Sequence, residues 1–263
     1  NSTKPSILFV THNHGGGTEK HVKELAQLLS CDANILIMRS TYSKDKVSIA
    51  FNPHEKADKL LLKIPKQIGS LHELLKLYGV SHIHFHHLAG HCNSIVNLPS
   101  ELNLTYDLSL HDYCLLLGKP KLTSDEELNS TKAIKTQKHN QSFIENAGRI
   151  FSPSQATKHI FNKCFPHKNI LWAPHPDKTT QTSAHPAPSK NTFNILVLGG
   201  LCKEKGADLL AKVAGAMHST HPQIKFILIG HAYRELNANI NVHGCYQDHE
   251  LDQLMTDYQG DLI

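Results

Sequence analysis

The chain has 263 residues, 40% hydrophobic and 19% charged, which excludes a disordered polymer and allows one large domain or two moderate ones. Its formal net charge of +4 comes from lysines and arginines spread along the chain without a basic block, so no nucleic-acid partner is expected. No apolar run approaches the roughly 20 residues of a membrane-spanning helix, and the opening "NSTKPSILFV" lacks the pattern of a secretory signal.

Taken in chain order, strand-like runs alternate with helical patterns. "SILFVT" reads as a strand, and "TEKHVKELAQLL" as a helix with Val22, Leu25, Ala26, Leu28 and Leu29 on one face. "NILIMRS" is the next strand, "IGSLHELLKLYG" a helix closed by Gly79, and "VSHIHFHH", "TYDLSLHD", "RIFSPS" and "NILWAPH" are further strands. The stretch "KLTSDEELNSTKAIKTQKHNQSFIENAG" is polar, then helical. Strands separated by helices predict an α/β protein with parallel sheets and right-handed crossovers. From Pro174 to Asn191 the chain is rich in Pro, Ser and Thr without a hydrophobic period, which predicts a linker. Beyond it come strand "FNILVLGG", turn "LCKEKG", helix "ADLLAKVAGAMHS", strands "IKFILIGHA" and "INVHGCY", and helix "HELDQLMTDY". The closing "GDLI" reads as the start of another strand. The expected domains are 1–177, a linker over 178–191, and a second, incomplete domain over 192–263.

Four stretches carry candidate chemistry. Gly15, Gly16 and Gly17 stand between a strand and a helix that begins near Thr18, matching neither familiar nucleotide fingerprint. Bare backbone at a helix N-terminus nevertheless favours an anion, unless the loop is only a connector. In "SHIHFHHLAGH", His82, His84 and His86 share a strand face, but residues four apart on a strand lie about 13 Å apart, too far for one metal. A histidine pair with a distant ligand remains open. His86, His87 and His91 are expected at the carboxyl end of the strand, where open α/β sheets bind ligands. His111 and Asp112 in "LSLHDYC" fall just past the next strand, in reach of a substrate hydroxyl or as acid and base, or as a structural strand cap. Lys205, immediately before Gly206 and a helix, suits a diphosphate, or is an ordinary surface lysine. The six cysteines are scattered with no C-x-x-C pair, as in a reduced, cytoplasmic protein.

In order, "HGGGTEKHV", "HIHFHHLAGH", "LSLHDY", "IFSPSQAT", "APHPD", "VLGGLCKEKGADLL" and "HGCYQDHEL" resemble the retaining glycosyltransferases of family 4, especially bacterial members that build cell-surface polysaccharides. The resemblance implies the GT-B fold, with two Rossmann-like domains: an acceptor-side N-terminal domain and a C-terminal domain that binds a nucleotide-sugar. It implies His111, with Asp112, at the transferred sugar. It places Gly15, Gly16, Gly17, Thr18, Lys205, Gly206 and Tyr246 at the donor phosphates, and His14, His86, His87 and His91 on the acceptor side. It implies no metal and no cofactor, the nucleotide-diphosphate sugar being a substrate. The acceptor is a glycan or lipid-linked saccharide, which brings a cytoplasmic protein into peripheral contact with the inner membrane. Three departures stand out. Gly200 replaces an arginine common before the lysine, "LLLGKPKL" follows "LHDYC" where similar proteins read more like "ICP", and the sequence ends before the place where an E-x7-E motif is expected. Two other functions fit the residues: a nucleotide-sugar 2-epimerase of the same architecture, and a non-catalytic, metal-binding module built on the 21 histidines.

Overall fold

The computed structural model describes residues 4–43, 45–51, 59–175 and 192–263. The chain divides into two compact units, Asn1–Lys178 and Thr179–Ile263. The expected linker over 178–191 lies outside the described residues.

The first unit contains strands β1 (Ser6–Thr11), β2 (Asn34–Ser40), β3 (Lys46–Ala50), β4 (Leu60–Lys63), β5 (Val80–Phe85), β6 (Thr105–Ser109), β7 (Ile150–Ser152) and β8 (Ile170–Trp172). Its helices are α1 (Gly16–Leu29), α2 (Ile68–Leu77), α3 (Asn93–Val96), α4 (Leu98–Leu102), α5 (Cys114–Leu117), α6 (Thr131–Glu145) and α7 (Gln155–Cys164). The strands form one sheet in the order β4-β3-β2-β1-β5-β6-β7-β8. From β2 to β8 every neighbouring pair is parallel. At the other edge, β2–β3 and β3–β4 are antiparallel. The expected parallel sheet thus carries an antiparallel edge, made by β3 and β4, strands of five and four residues.

The period-2 alternation of β1 sorts the core. Leu8 and Val10 face one side with Leu36, Met38, Ile83, Phe85, Leu71 and Leu75. Phe9 faces the other with Val22 and Ala26 of α1 and with Ile35 and Ile37. On α1, Val22, Leu25, Ala26 and Leu29 meet the sheet at helical spacing. Leu28 is 64% exposed and leaves the expected face, because it lies six residues from Val22, away from the i, i+3, i+4, i+7 stripe.

The second unit contains β9 (Phe193–Leu198), α8 (Ala207–Thr220), β10 (Ile224–Ile229), β11 (Ile240–Val242) and α9 (Leu251–Asp257). Its described sheet is parallel, in the order β11-β10-β9. Leu262 bridges Ile195 in parallel, on the side of β9 away from β10. At Gly230, φ is +146° and a Cβ would stand 2.0 Å from the Gly199 carbonyl oxygen, so only glycine lets the two strand ends approach this closely.

Candidate functional site

In the first unit β1 passes to β2 on one side, while β5 lies on its other side. The crest between β1 and β5 is thus a switch point, where open α/β sheets form ligand crevices beyond the strands' carboxyl ends. The α1 face of β5 and β6 is polar although covered. His82 pairs with Thr105 at 2.9 Å and approaches Asp107 at 3.0 Å. His84 pairs with Ser109 at 2.9 Å. One step on, His86 Nδ1 and His111 Nε2 face each other at 3.5 Å. These contacts form a ladder of polar side chains from the sheet interior to the crevice. Asp107 anchors its base, accepting two hydrogen bonds from the Arg149 guanidinium and one from the Arg149 N–H. Burial opposes its charge, but the bonds to His82 and Arg149 outweigh that and hold its carboxyl well below the usual range.

The three glycines open α1 differently from the expected loop. Gly15 is the N-cap, and Gly16 and Gly17 already belong to the first turn. Gly15 and Gly16 have φ of +68° and +76°, and a Cβ on any of the three would meet nothing within 4 Å. The left-handed conformation, not crowding, explains the first two glycines; the third leaves the backbone bare. No side chain caps the helix, and Thr18 is half-buried in its first turn. The adjacent Glu19 is held by Arg39 in a two-pronged pair at 2.8 and 3.1 Å, which leaves the helix start open to an anion.

Around this start gather more imidazoles than the motifs predict. His21, one turn into α1, lies with its ring centroid 5.5 Å from His86, 5.1 Å from His111 and 4.2 Å from His175. Burial, then the neighbouring His175, lowers His21 from 6.5 to about 4. Burial, then His21 and His175, lowers His111 to about 3. His86 is fully enclosed and is held well below 6.5 for the same first reason. These rings are therefore neutral at pH 7, able to donate one hydrogen bond and accept another.

His14 is exposed, and its N–H donates to His12 Nδ1 at 3.1 Å. His87 accepts from the Ala89 N–H through Nδ1 and donates through Nε2 to Asp112 at 2.8 Å. Asp112 also accepts from the Cys114 N–H, so its carboxylate is fixed at the start of α5 and orients His87. Burial opposes its ionisation, but His87 and the Cys114 bonds outweigh it and keep the carboxyl below its usual value. His91 donates to the Thr11 carbonyl at 2.8 Å, tying its loop to the end of β1. A cavity of about 270 Å³ opens beside these residues, lined by His86, His87, His111, Asp112 and the apolar Leu110 and Leu115.

In the second unit, Lys205 is exposed at the end of a short turn, and Gly206 (φ +87°) begins α8 without a side-chain cap. Tyr246 packs on the Leu196, Ile227 and Ile229 cluster. A cavity of about 910 Å³ lies instead along α8, β10 and β11, lined among others by His218, Arg234 and Asn237. At Gly200, the position of the missing arginine, a Cβ would stand 3.1 Å from the His231 ring, so an imidazole lies beside that position. His12, His21, His175 and His231 escaped the sequence reading. His21 had one signal, its helical spacing of four from Gly17, and His175 another, its place in "APHPD".

No family model and no curated protein matches the sequence. Solved structures do. UDP-GlcNAc 2-epimerase from Neisseria meningitidis, bound to UDP-GlcNAc, aligns at TM-score 0.56 and 12% identity over 95% of this chain and 75% of its own. The lipopolysaccharide outer core galactosyltransferase WaaB aligns at 0.55 and 11% over 98% and 72%. HepE from Anabaena, in complex with UDP, aligns at 0.52 and 14% over 95% and 71%. The fold is that of the GT-B enzymes. Within it, the glycine-opened α1 and His111 belong to the first Rossmann-like unit, and Lys205 and His231 to the second.

Proposed function

We propose that the protein transfers a sugar from a nucleoside diphosphate sugar to a glycan or lipid-linked acceptor, with retention at the anomeric carbon. The observation that carries this reading is the uncapped, glycine-opened start of α1 beside the neutral His111 at the switch point. A helix start suits a phosphate, and a neutral imidazole next to it suits a sugar hydroxyl. In this reading His111 positions the transferred sugar, while Asp112 orients His87 at the acceptor side with His14 and His91. Lys205 and the start of α8 stabilise the diphosphate as it leaves with the bonding electron pair, the part a metal plays in other transferases.

The test is binding and transfer with a panel of nucleoside diphosphate sugars. His111→Ala is expected to lower kcat/KM by about a hundredfold or more, with the fold intact by circular dichroism. Full activity in that variant, or no binding of any nucleotide-sugar by the parent, overturns the reading. The alignment with UDP-GlcNAc 2-epimerase favours a second reading, inversion at C2 of the donor sugar. Product analysis without acceptor separates the two, because an epimerase converts the sugar with no acceptor present.

A further inference from the structure

The polar ladder of β5 and β6 ends in an arrangement that hydrogen bonding does not complete. His82 and His84 each have an oxygen partner at 2.9 Å. At the last rung two imidazole nitrogens face each other at 3.5 Å, long for a hydrogen bond. His86, whose Nδ1 faces His111, is only 2% exposed, and its other ring nitrogen, Nε2, has no hydrogen-bond partner.

The third side is closed by His21. One nitrogen from each of His21, His86 and His111 lies within 4.8 Å of the others. Tetrahedral zinc with bonds of about 2.0–2.1 Å holds its ligand nitrogens about 3.3 Å apart, close to the His86–His111 separation. The three rings come from different elements, α1 and the ends of β5 and β6, so the sheet presets them before any ion arrives. His175, 4.2 Å from His21 and 5.9 Å from His111 between ring centroids, stands where a fourth ligand or a water completes the shell. We infer that His21, His86 and His111 form a binding site for a divalent late transition-metal ion of the zinc class, with imidazole ligands and one open position.

A second group, His87, Asp112 and Cys114, has similar spacing. It is the poorer candidate, because the Asp112 carboxylate is already engaged by His87 and by the Cys114 N–H.

In the sugar-transfer reading the ion competes with the sugar hydroxyl for His111. The metal assay contains no sugar, so its outcome does not depend on that reading. Untagged protein, stripped with chelator and dialysed, is titrated with zinc chloride by calorimetry and with cobalt(II) by visible absorption. The expected result is one ion per chain, with the cobalt spectrum of tetrahedral nitrogen coordination. His21→Gln and His111→Gln should each weaken binding at least about a hundredfold, while His167→Gln, at an exposed position, leaves it unchanged. Circular dichroism checks the fold of each variant, and two ligand variants on different elements guard against one that fails to fold. Absence of stoichiometric binding overturns the site, as does binding that both His21→Gln and His111→Gln retain or that His167→Gln loses equally.

Discussion

The two units use the same strand–helix architecture, but the first encloses histidines at the crest of its sheet and the second leaves its described histidines exposed. In the first, His12, His84 and His86 are buried, and the crest of the sheet is an enclosed imidazole layer. In the second, the described histidines His218, His221, His231, His243 and His249 are exposed, and the crest offers Lys205 at an open helix start. Enclosure keeps imidazoles neutral and makes them partners for hydroxyls or a metal ion. Exposure leaves the Lys205 side chain open to a phosphate. One fold thus presents two chemistries by changing only what covers the strand ends.

Acid should break that contrast most strongly. Burial first, with His87 and His14 adding for His12, lowers His12 and His91 from 6.5 to about 4. In the unfolded chain both bind protons near 6.5, so the unfolded state takes up more protons between pH 6.5 and 4. Their stabilising contribution is complete above pH 6.5, falls through that window, and is lost near pH 4. Each tenfold change in proton affinity is worth about 1.4 kcal/mol, so the pair accounts for several kcal/mol. The protein's only tryptophan, Trp172 on β8, reports the first unit, and its emission in urea titrations at successive pH values should show the loss. An unchanged midpoint from pH 7 to 4.5 would contradict it.

The next effects are smaller and assign weight to each unit. Gly230→Ala forces a methyl against the Gly199 carbonyl and should destabilise the second unit by about 3 kcal/mol, read by circular dichroism in urea with little change at Trp172. Asp107→Asn removes the charge that holds His82 and Arg149 and should cost about 2 kcal/mol, seen in the Trp172 transition. Lys205→Ala should weaken nucleotide-sugar binding about tenfold by calorimetry without shifting either urea transition. Gly15→Ala puts a side chain into open space but into a left-handed backbone, so about 1 kcal/mol is expected.

The parts of this design differed in how openly the chain displayed them. Apolar runs such as "ILFV" and "ILIM" announce strands covered on both faces, and β1 and β2 formed there. The location of His111 just past β6 followed from counting beyond "TYDLS". Strands β3 and β4 lacked that signal, since "KVSIA" and "LLLK" are short. His21 reads as one more polar residue on a helix until α1 is docked and its second turn meets the ends of β5 and β6. The Gly199–Gly230 contact is invisible for a similar reason: it depends on two strand ends about thirty residues apart arriving side by side.

The polar ladder also bears on how the chain finds its fold. If β5 slipped by one residue against β6, His82, His84 and His86 would turn into the aliphatic layer of Leu8, Val10 and Leu71. Ile83 and Phe85 would then face Asp107 and Ser109, and no oxygen would meet the buried imidazoles. Misregistered pairing would therefore carry several unsatisfied polar groups at once, a penalty a purely aliphatic strand could not impose. Besides shaping the crevice, the alternating histidines of "SHIHFHH" make strand alignment self-correcting during assembly.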